Sequence, residues 1–242
     1  MPYPLPLLPT TTADLEAMDP RTELPYTMAF MKNTLFRGLN NVHARATRLG
    51  PRDPSLPAFL TYTAGLCTII IAHVKGDEQF FRTPTQSGRT LESLFGPACL
   101  PDLRGALDRV RQLRDVAAAY IQSPQVYDGG RVAAFLDFGV EMQQKMQRQV
   151  KAVDSRRIAQ VVSPEEMGAM VQCNVHWFTS QCDIQFLLPY IHSHHDRATS
   201  QYWPPMNPEG WKMLPEFVQP HARCWELAPF KISYNRPRVG RK

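Results

Sequence analysis

The stretch IIIAHVKGDEQFF, Ile69–Phe81, interrupts a long apolar run with one histidine and two acidic residues. His73 and Asp77 are four residues apart, so on a helix their side chains share one face. Two side chains at this spacing are what a single helix contributes to a metal site inside a helical bundle. The stretch therefore predicts a buried helix and raises the question of whether other helices supply further ligands.

Amphipathic periodicity predicts four helices of about 20 residues each, joined by fairly short links. They span Met28–Leu49, Pro57–Phe81, Asp102–Ile121 and Arg131–Val153, with a linker at Thr83–Pro101. Ser163 and Pro164 are a typical start for another helix, which we expect to run to about residue 195. The pattern predicts an all-α fold, an up-and-down four-helix bundle with an extra C-terminal helix. An extended cover rich in proline and tryptophan should follow it.

Domain boundaries follow from the change in composition along the chain. Residues 1–25 are rich in proline and are predicted to form an N-terminal arm. Residues 26–242 are predicted to form one helical domain, with the bundle at about 26–155 and the C-terminal helix and cover at about 163–230. A basic tail occupies 231–242.

Composition excludes several classes of protein. A net charge of +5 is mild, and the basic residues alternate with acids without a nucleic-acid-binding motif, so we expect no nucleic-acid partner. No apolar run reaches the ~20 residues that a membrane span needs, and no basic region precedes the first apolar residues as in a secretory signal. The five cysteines contain no C-x-x-C pair. We expect a cytoplasmic protein; its oligomeric state has no signal in the sequence.

Several motifs in succession resemble those of the fungal hemerythrin-like domain proteins, over roughly Met28–Pro205. They are MKNTLFRGLNNV, HVKGDEQFF, LRGALDRV, QKMQRQV and LPYIHSHHDRATSQYWPP. The resemblance implies a bundle built to hold two iron ions. It also implies which positions should carry the ligands, and most of these carry other residues here.

In the alignment that the resemblance implies, His73 remains and Asp77 stands where the family has glutamate. The other ligand positions are occupied by Lys32, Leu100, Arg104, Lys145 and Gln149. Lysine and arginine offer only hydrogen-bond donors and positive charge, so they do not ligate a cation. At ~4 Å and an effective dielectric constant of 20, a contact between like charges costs about 4 kcal/mol. We therefore predict that the protein holds no metal and needs no cofactor.

The cations that replace the ligands should converge with the remaining histidine and carboxylates on one cavity. The predicted catalytic residues are Lys32, His73, Asp77, Glu78, Arg104 and Lys145. The predicted substrate-binding residues are Phe36, Ile69, Ile70, Phe80, Glu141, Met146 and Trp177. Asp77, close to several cations, should have a lowered pKa and act as a base, whereas Glu78, farther out, should be the acid.

The predicted function is that of a cofactor-free isomerase or cyclase in secondary metabolism, acting on an aromatic or phenolic small molecule such as a polyketide. The reaction that we consider first is addition of a hydroxyl group across a prenyl olefin, which forms a cyclic ether. Two alternatives stay open. The same charges form a structural ion network in a binding or scaffold protein, or the chain holds metal through an unusual ligand set.

Overall fold

The computed structural model describes residues 3–234, which form helices and connecting segments without any β-strand. The predicted all-α class is confirmed. The helices are α1 (Pro20–Ala46), α2 (Leu56–Arg82), α3 (Leu91–Phe95), α4 (Arg104–Gln122), α5 (Gly129–Ala134), α6 (Gly139–Ala152), α7 (Ser155–Ile158), α8 (Pro164–Ser180), α9 (Ile184–His194), α10 (Pro208–Val218) and α11 (Ala222–Trp225). Short 3₁₀ segments connect several of them, including Gly96–Cys99 and Phe135–Phe138. Most of the predicted basic tail lies outside the described residues.

The long helix α1 begins earlier than predicted and so includes the end of the predicted arm. Asp19 caps it by accepting a hydrogen bond from the Arg21 backbone N–H, and Pro20 occupies the first helical position, where its missing N–H is not needed. The helix continues past Pro25, which the prediction placed in the arm. The predicted fourth helix is divided into α5, a 3₁₀ segment at Phe135–Phe138, and α6.

The C-terminal region is more helical than predicted. The single helix expected from residue 163 is two helices, α8 and α9, because the chain turns after Gln181 and Asp183 caps the second helix. The predicted extended cover contains α10, which Asn207 caps and Pro208 begins. The prediction of a wholly extended cover is wrong because a proline at the first helical position favours a helix start.

Helices α1 and α2 lie at the centre of an all-helical bundle. α2 packs along α4 and also contacts α8, and α1 contacts α2, α5, α6 and α9. By length and composition α2 would be able to cross a membrane, but 67% of its apolar window is buried within the protein. A central core helix has the same composition, and α2 occupies that place in this fold.

Buried apolar residues form one large cluster, a small cluster and a third cluster of three residues around Phe30, and a polar layer lies between the large and the small cluster. Phe36 of α1 and Val74 of α2 belong to the large cluster, whereas Met28 of α1 and Phe81 of α2 belong to the small one. The residues between them along both helices include Lys32 and Asp77, which belong to neither cluster. The fold therefore places a pair of opposite charges between two apolar regions.

Candidate functional site

The structure brings together Lys32, His73 and Asp77, which we call the charged triad. The Lys32 Nζ atom is 2.8 Å from Asp77 Oδ2 and 3.2 Å from His73 Nε2. His73 Nε2 lies 3.6 Å from Asp77 Oδ2. The Lys32 side chain is fully buried, whereas 16% of the Asp77 side chain is exposed. The spacing of four residues on α2 directs both of its side chains towards the α1 lysine.

Two further elements complete the surroundings of the triad. The Gln149 side chain of α6 lies near the Asp77 carboxylate and helps to lower its pKa, and its Nε2 donates to the Cys99 carbonyl oxygen at 2.8 Å. The C-terminal half of α8 packs against α2 at the triad. The Phe178 ring meets the His73 ring edge-on at a centroid distance of 6.2 Å.

Gly76 of α2 has no side chain and so lets α8 pack closely against α2 next to the triad. Asn174 Nδ2 of α8 donates to the Gly76 carbonyl oxygen at 2.9 Å. A Cβ atom at position 76 would lie only 3.0 Å from the Trp177 ring. Asn174 and Phe178 were not predicted as site residues. The sequence does carry one signal for them, a glycine next to Asp77 on a long helix, which indicates close approach of another element.

Burial and charge together set the protonation state of the triad. Burial lowers the pKa of His73 to about 4, so its imidazole is neutral at pH 7. Burial alone would raise the pKa of Asp77, but His73, the Lys32 charge, the hydrogen bond from Lys32 and the nearby Gln149 side chain outweigh it and lower that pKa. The triad thus holds an ammonium, a carboxylate and a neutral imidazole. Because the ammonium donates to His73 Nε2, we assign the imidazole proton to Nδ1.

Three predicted catalytic residues lie away from the triad, so the prediction that they converge on it is wrong. Arg104 is largely exposed and pairs with Asp102 at 2.8 Å. Lys145 Nζ contacts Glu141 Oε1 at 2.5 Å and donates to the Asp102 carbonyl oxygen at 2.6 Å. In both cases a local partner near the start of α4 satisfies the cation. Glu78 is exposed, because it follows Asp77 by one residue and so turns away from α1.

The predicted substrate-binding residues are distributed around the triad rather than in one cavity. Those buried in the large cluster are Phe36, Ile69, Ile70 and Met146, and Phe80 is buried in the small cluster. Glu141 is 62% exposed and pairs with Lys145, which places it outside the site. Trp177 is half-buried and covers Gly76. Of the predicted set, Trp177 is the residue at the edge of the triad.

A second buried polar group, which we call the neutral cluster, consists of Tyr62, Tyr190 and His194. The Tyr62 hydroxyl lies 2.5 Å from His194 Nε2, and His194 Nδ1 lies 2.8 Å from the Tyr190 carbonyl oxygen. The Tyr190 hydroxyl donates to the Thr34 carbonyl oxygen at 2.8 Å. Burial lowers the pKa of His194 to about 3. We did not predict this cluster, because Tyr62 and His194 are 132 residues apart and only the fold joins them.

Metal-ligating side chains are sparse in the part of the chain that the structure describes. Residues 3–234 contain no group of three or more histidine, cysteine, aspartate or glutamate side chains able to hold a metal ion.

Comparison of the chain with models of protein families, with curated proteins and with solved structures finds no match. The resemblance to hemerythrin-like proteins therefore stays a prediction that rests on the quoted motifs.

Proposed function

We propose that the charged triad is the centre of a metal-independent enzyme that moves a proton on a carbonyl or phenolic compound, as an isomerase or a cyclase does. The observation that supports this most is a fully buried ammonium held by a carboxylate at 2.8 Å and a neutral imidazole at 3.2 Å. The Lys32 ammonium contacts both potential metal ligands, His73 and Asp77. Its positive charge repels a metal cation from that position.

Each member of the triad has a distinct task in this proposal. Lys32 has three N–H bonds and uses two on Asp77 and His73, so one remains to stabilise an oxyanion that forms on a bound carbonyl compound. Asp77, the most exposed of the three side chains, removes and returns the proton. His73 accepts a hydrogen bond from Lys32 and thereby fixes the direction of the ammonium.

The arrangement favours ring closure on an electron-poor alkene over the prenyl addition that the sequence suggested. Protonation of an isolated olefin needs a strong acid, and Glu78, the predicted acid, is exposed and away from the triad. We therefore propose that a phenol adds to an alkene conjugated with a ketone. Asp77 takes the phenolic proton, the oxygen attacks the β-carbon, and Lys32 stabilises the enolate. The proton then returns to the α-carbon, so the product is an isomer of the substrate.

Substrate entry in this proposal requires α8 to move. Trp177 and Phe178 cover the triad, yet Met167 is the only fully buried residue among the 17 of α8. A helix with so few buried side chains is held by little apolar contact and opens at low cost. Displacement of its C-terminal half would uncover Asp77 and the edge of His73.

Turnover of phenolic enones tests this proposal. The first probe is 2′-hydroxychalcone, whose closure to a flavanone is followed by loss of absorbance and by chiral chromatography. We expect one enantiomer in excess from the natural protein. Asp77→Asn should lower the rate by about 100-fold or more, since general-base catalysis contributes about that much. The matched control is Asp102→Asn, which removes an exposed carboxylate. A racemic product, formed equally fast by the Asp77→Asn protein, would contradict the proposal.

A second candidate function is structural, and the burial of Lys32 favours it. An ion pair whose lysine is fully buried between two apolar clusters fixes the register of α1 against α2 without any chemistry. In that case no phenolic compound binds near His73, while loss of Lys32 still destabilises the fold. Binding and turnover therefore separate the two candidates, and stability alone does not.

A further inference from the structure

Residues 3–8 of the N-terminal arm lie without helical structure against α1 and α6. Leu5 and Leu8 are 3% and 4% exposed and belong to the large apolar cluster, whereas Leu7 between them is 42% exposed. The Tyr3 hydroxyl donates to the Leu136 carbonyl oxygen at 2.9 Å, and its ring stacks on His43 at 4.2 Å. The arm therefore inserts two leucines into the surface formed by these helices, which we call the arm groove.

Two asparagines of α1 hold the backbone of the arm. Asn40 accepts from the Leu5 N–H at 2.6 Å and donates to the Leu5 carbonyl oxygen at 3.1 Å. Asn33 does the same for Leu8, at 2.7 and 3.0 Å. A side-chain amide carries a donor and an acceptor side by side, so each asparagine satisfies both backbone groups of one leucine.

The remaining backbone of the arm suits this groove. Pro4 and Pro6 have no N–H, so they leave no buried donor without a partner. The Pro6 carbonyl oxygen accepts from Gln143 Nε2 of α6 at 3.2 Å. Backbone hydrogen bonds from both walls and two leucine pockets are the way in which proteins bind extended peptides, with the backbone giving affinity and the pockets giving specificity.

None of these contacts depends on the covalent link between the arm and α1. That link, residues 9–14, is exposed or half-buried, and the next buried residue of the chain is Leu15. We propose that the arm groove is a binding site for an extended proline-rich peptide supplied by another molecule, of the type x-Pro-Leu-Pro-x-Leu. The chain's own arm occupies the groove and competes with such a partner.

The chain of 242 residues with Leu5→Ala and Leu8→Ala tests this proposal, because these changes weaken the arm and leave the groove intact. The probe is a fluorescein-labelled peptide, PYPLPLLPT, and binding is measured by fluorescence anisotropy. We expect it to bind this variant about 100-fold more tightly than the natural protein, in which the tethered arm competes at an effective concentration of about millimolar. The same peptide with serine in place of its leucines should not bind.

Variants of the groove identify the binding surface. Asn33→Asp and Asn40→Asp, added to the arm variant, remove the donors and place carboxylates against carbonyl oxygens, so binding should be lost. Asn41→Ala is the matched control, since Asn41 lies on the same helix and donates to the Leu227 carbonyl oxygen instead. A folded arm variant that fails to bind the peptide, or that binds it equally well after both asparagine changes, would overturn the proposal.

A second measurement applies if the arm variant does not fold. The natural protein is mixed with excess unlabelled peptide, and amide hydrogen exchange is followed at Leu5 and Leu8. Competition for the groove should release the arm and speed the exchange of both amides. Unchanged protection of both amides at saturating peptide would overturn the proposal.

Discussion

The charged triad and the neutral cluster are both buried polar groups that contain a histidine. They differ in the charges of their side chains and in how completely these side chains are buried. The triad contains an ammonium and a carboxylate, and 16% of the Asp77 side chain is exposed. The neutral cluster contains hydroxyl, imidazole and carbonyl groups, and Tyr62, Tyr190 and His194 are completely buried. Both histidines are neutral at pH 7, so the histidine itself does not distinguish the two.

The difference indicates which group is suited to chemistry. In the neutral cluster every described hydrogen bond links groups within the core, which rigidifies and specifies a packing arrangement. In the triad an ammonium retains a donor, and a single helix covers it. Under the proposed function, the chemistry takes place at the triad, and the neutral cluster specifies the packing of the core.

The largest effect should come from Lys32→Met, which leaves the Asp77 carboxylate buried without its partner. Loss of one member of a buried ion pair costs about 3–5 kcal/mol. Urea unfolding should therefore show a fall of that size in the free energy of unfolding. Lys145→Met, in a pair whose glutamate is 62% exposed, should change it by about 1 kcal/mol or less. Equal effects of the two substitutions would show that the triad is not a buried pair.

Acidification should destabilise the protein through four buried histidines, His73, His192, His194 and His195. Each takes up a proton in the unfolded chain near pH 6.5, but in the native protein only near pH 4 for His73, His192 and His195 and near pH 3 for His194. The unfolded state binds more protons between these values, so stability is complete above about pH 6.5 and falls as the pH drops. At pH 5 the loss is about 2 kcal/mol for each histidine. Urea unfolding at pH 7 and pH 5 measures it; a stability independent of pH would contradict the buried neutral state.

Tyr62→Phe should lower the stability of the protein without changing its proposed activity. It removes the donor to His194 Nε2, and a buried acceptor without a partner costs about 1–3 kcal/mol. The free energy of unfolding should fall by that amount, while the rate of phenol cyclisation per folded molecule stays unchanged. A loss of activity with stability intact would move the chemistry to the neutral cluster and reverse the comparison.

The smallest effect should come from Gly76→Ala. Its Cβ would lie 3.0 Å from the Trp177 ring, and the half-buried ring can move by the few tenths of an ångström required. We expect a loss below about 1 kcal/mol, with a change in tryptophan fluorescence. Gly38→Ala, whose Cβ would lie 2.3 Å from the Tyr190 hydroxyl oxygen, should cost about 1–3 kcal/mol, as overpacking does. If Gly76→Ala cost more stability than Gly38→Ala, α8, which carries Trp177, would be held more rigidly than α9, which carries Tyr190.

Periodicity and local spacing were sufficient to predict part of this structure. The apolar run around His73 predicted α2, and the spacing of His73 and Asp77 predicted their shared face. The prediction that Arg104 and Lys145 face the triad was wrong, because Asp102 and Glu141 pair with these two cations. The sequence alone does not show whether a cation pairs with a near residue or with a distant one. The neutral cluster and the asparagine contacts to the arm depend on residues that are distant in sequence, so no local pattern reveals them.

The proposed role of the charged triad is tested most directly by the nuclear magnetic resonance spectrum of the histidine ring nitrogens, with and without saturating flavanone. His73→Gln and Tyr62→Phe proteins assign the His73 and His194 signals. Binding of the ligand should shift the His73 signals and leave those of His194 unchanged. A ligand that binds without altering His73, or that alters His194 instead, would contradict the assignment of chemistry to the charged triad.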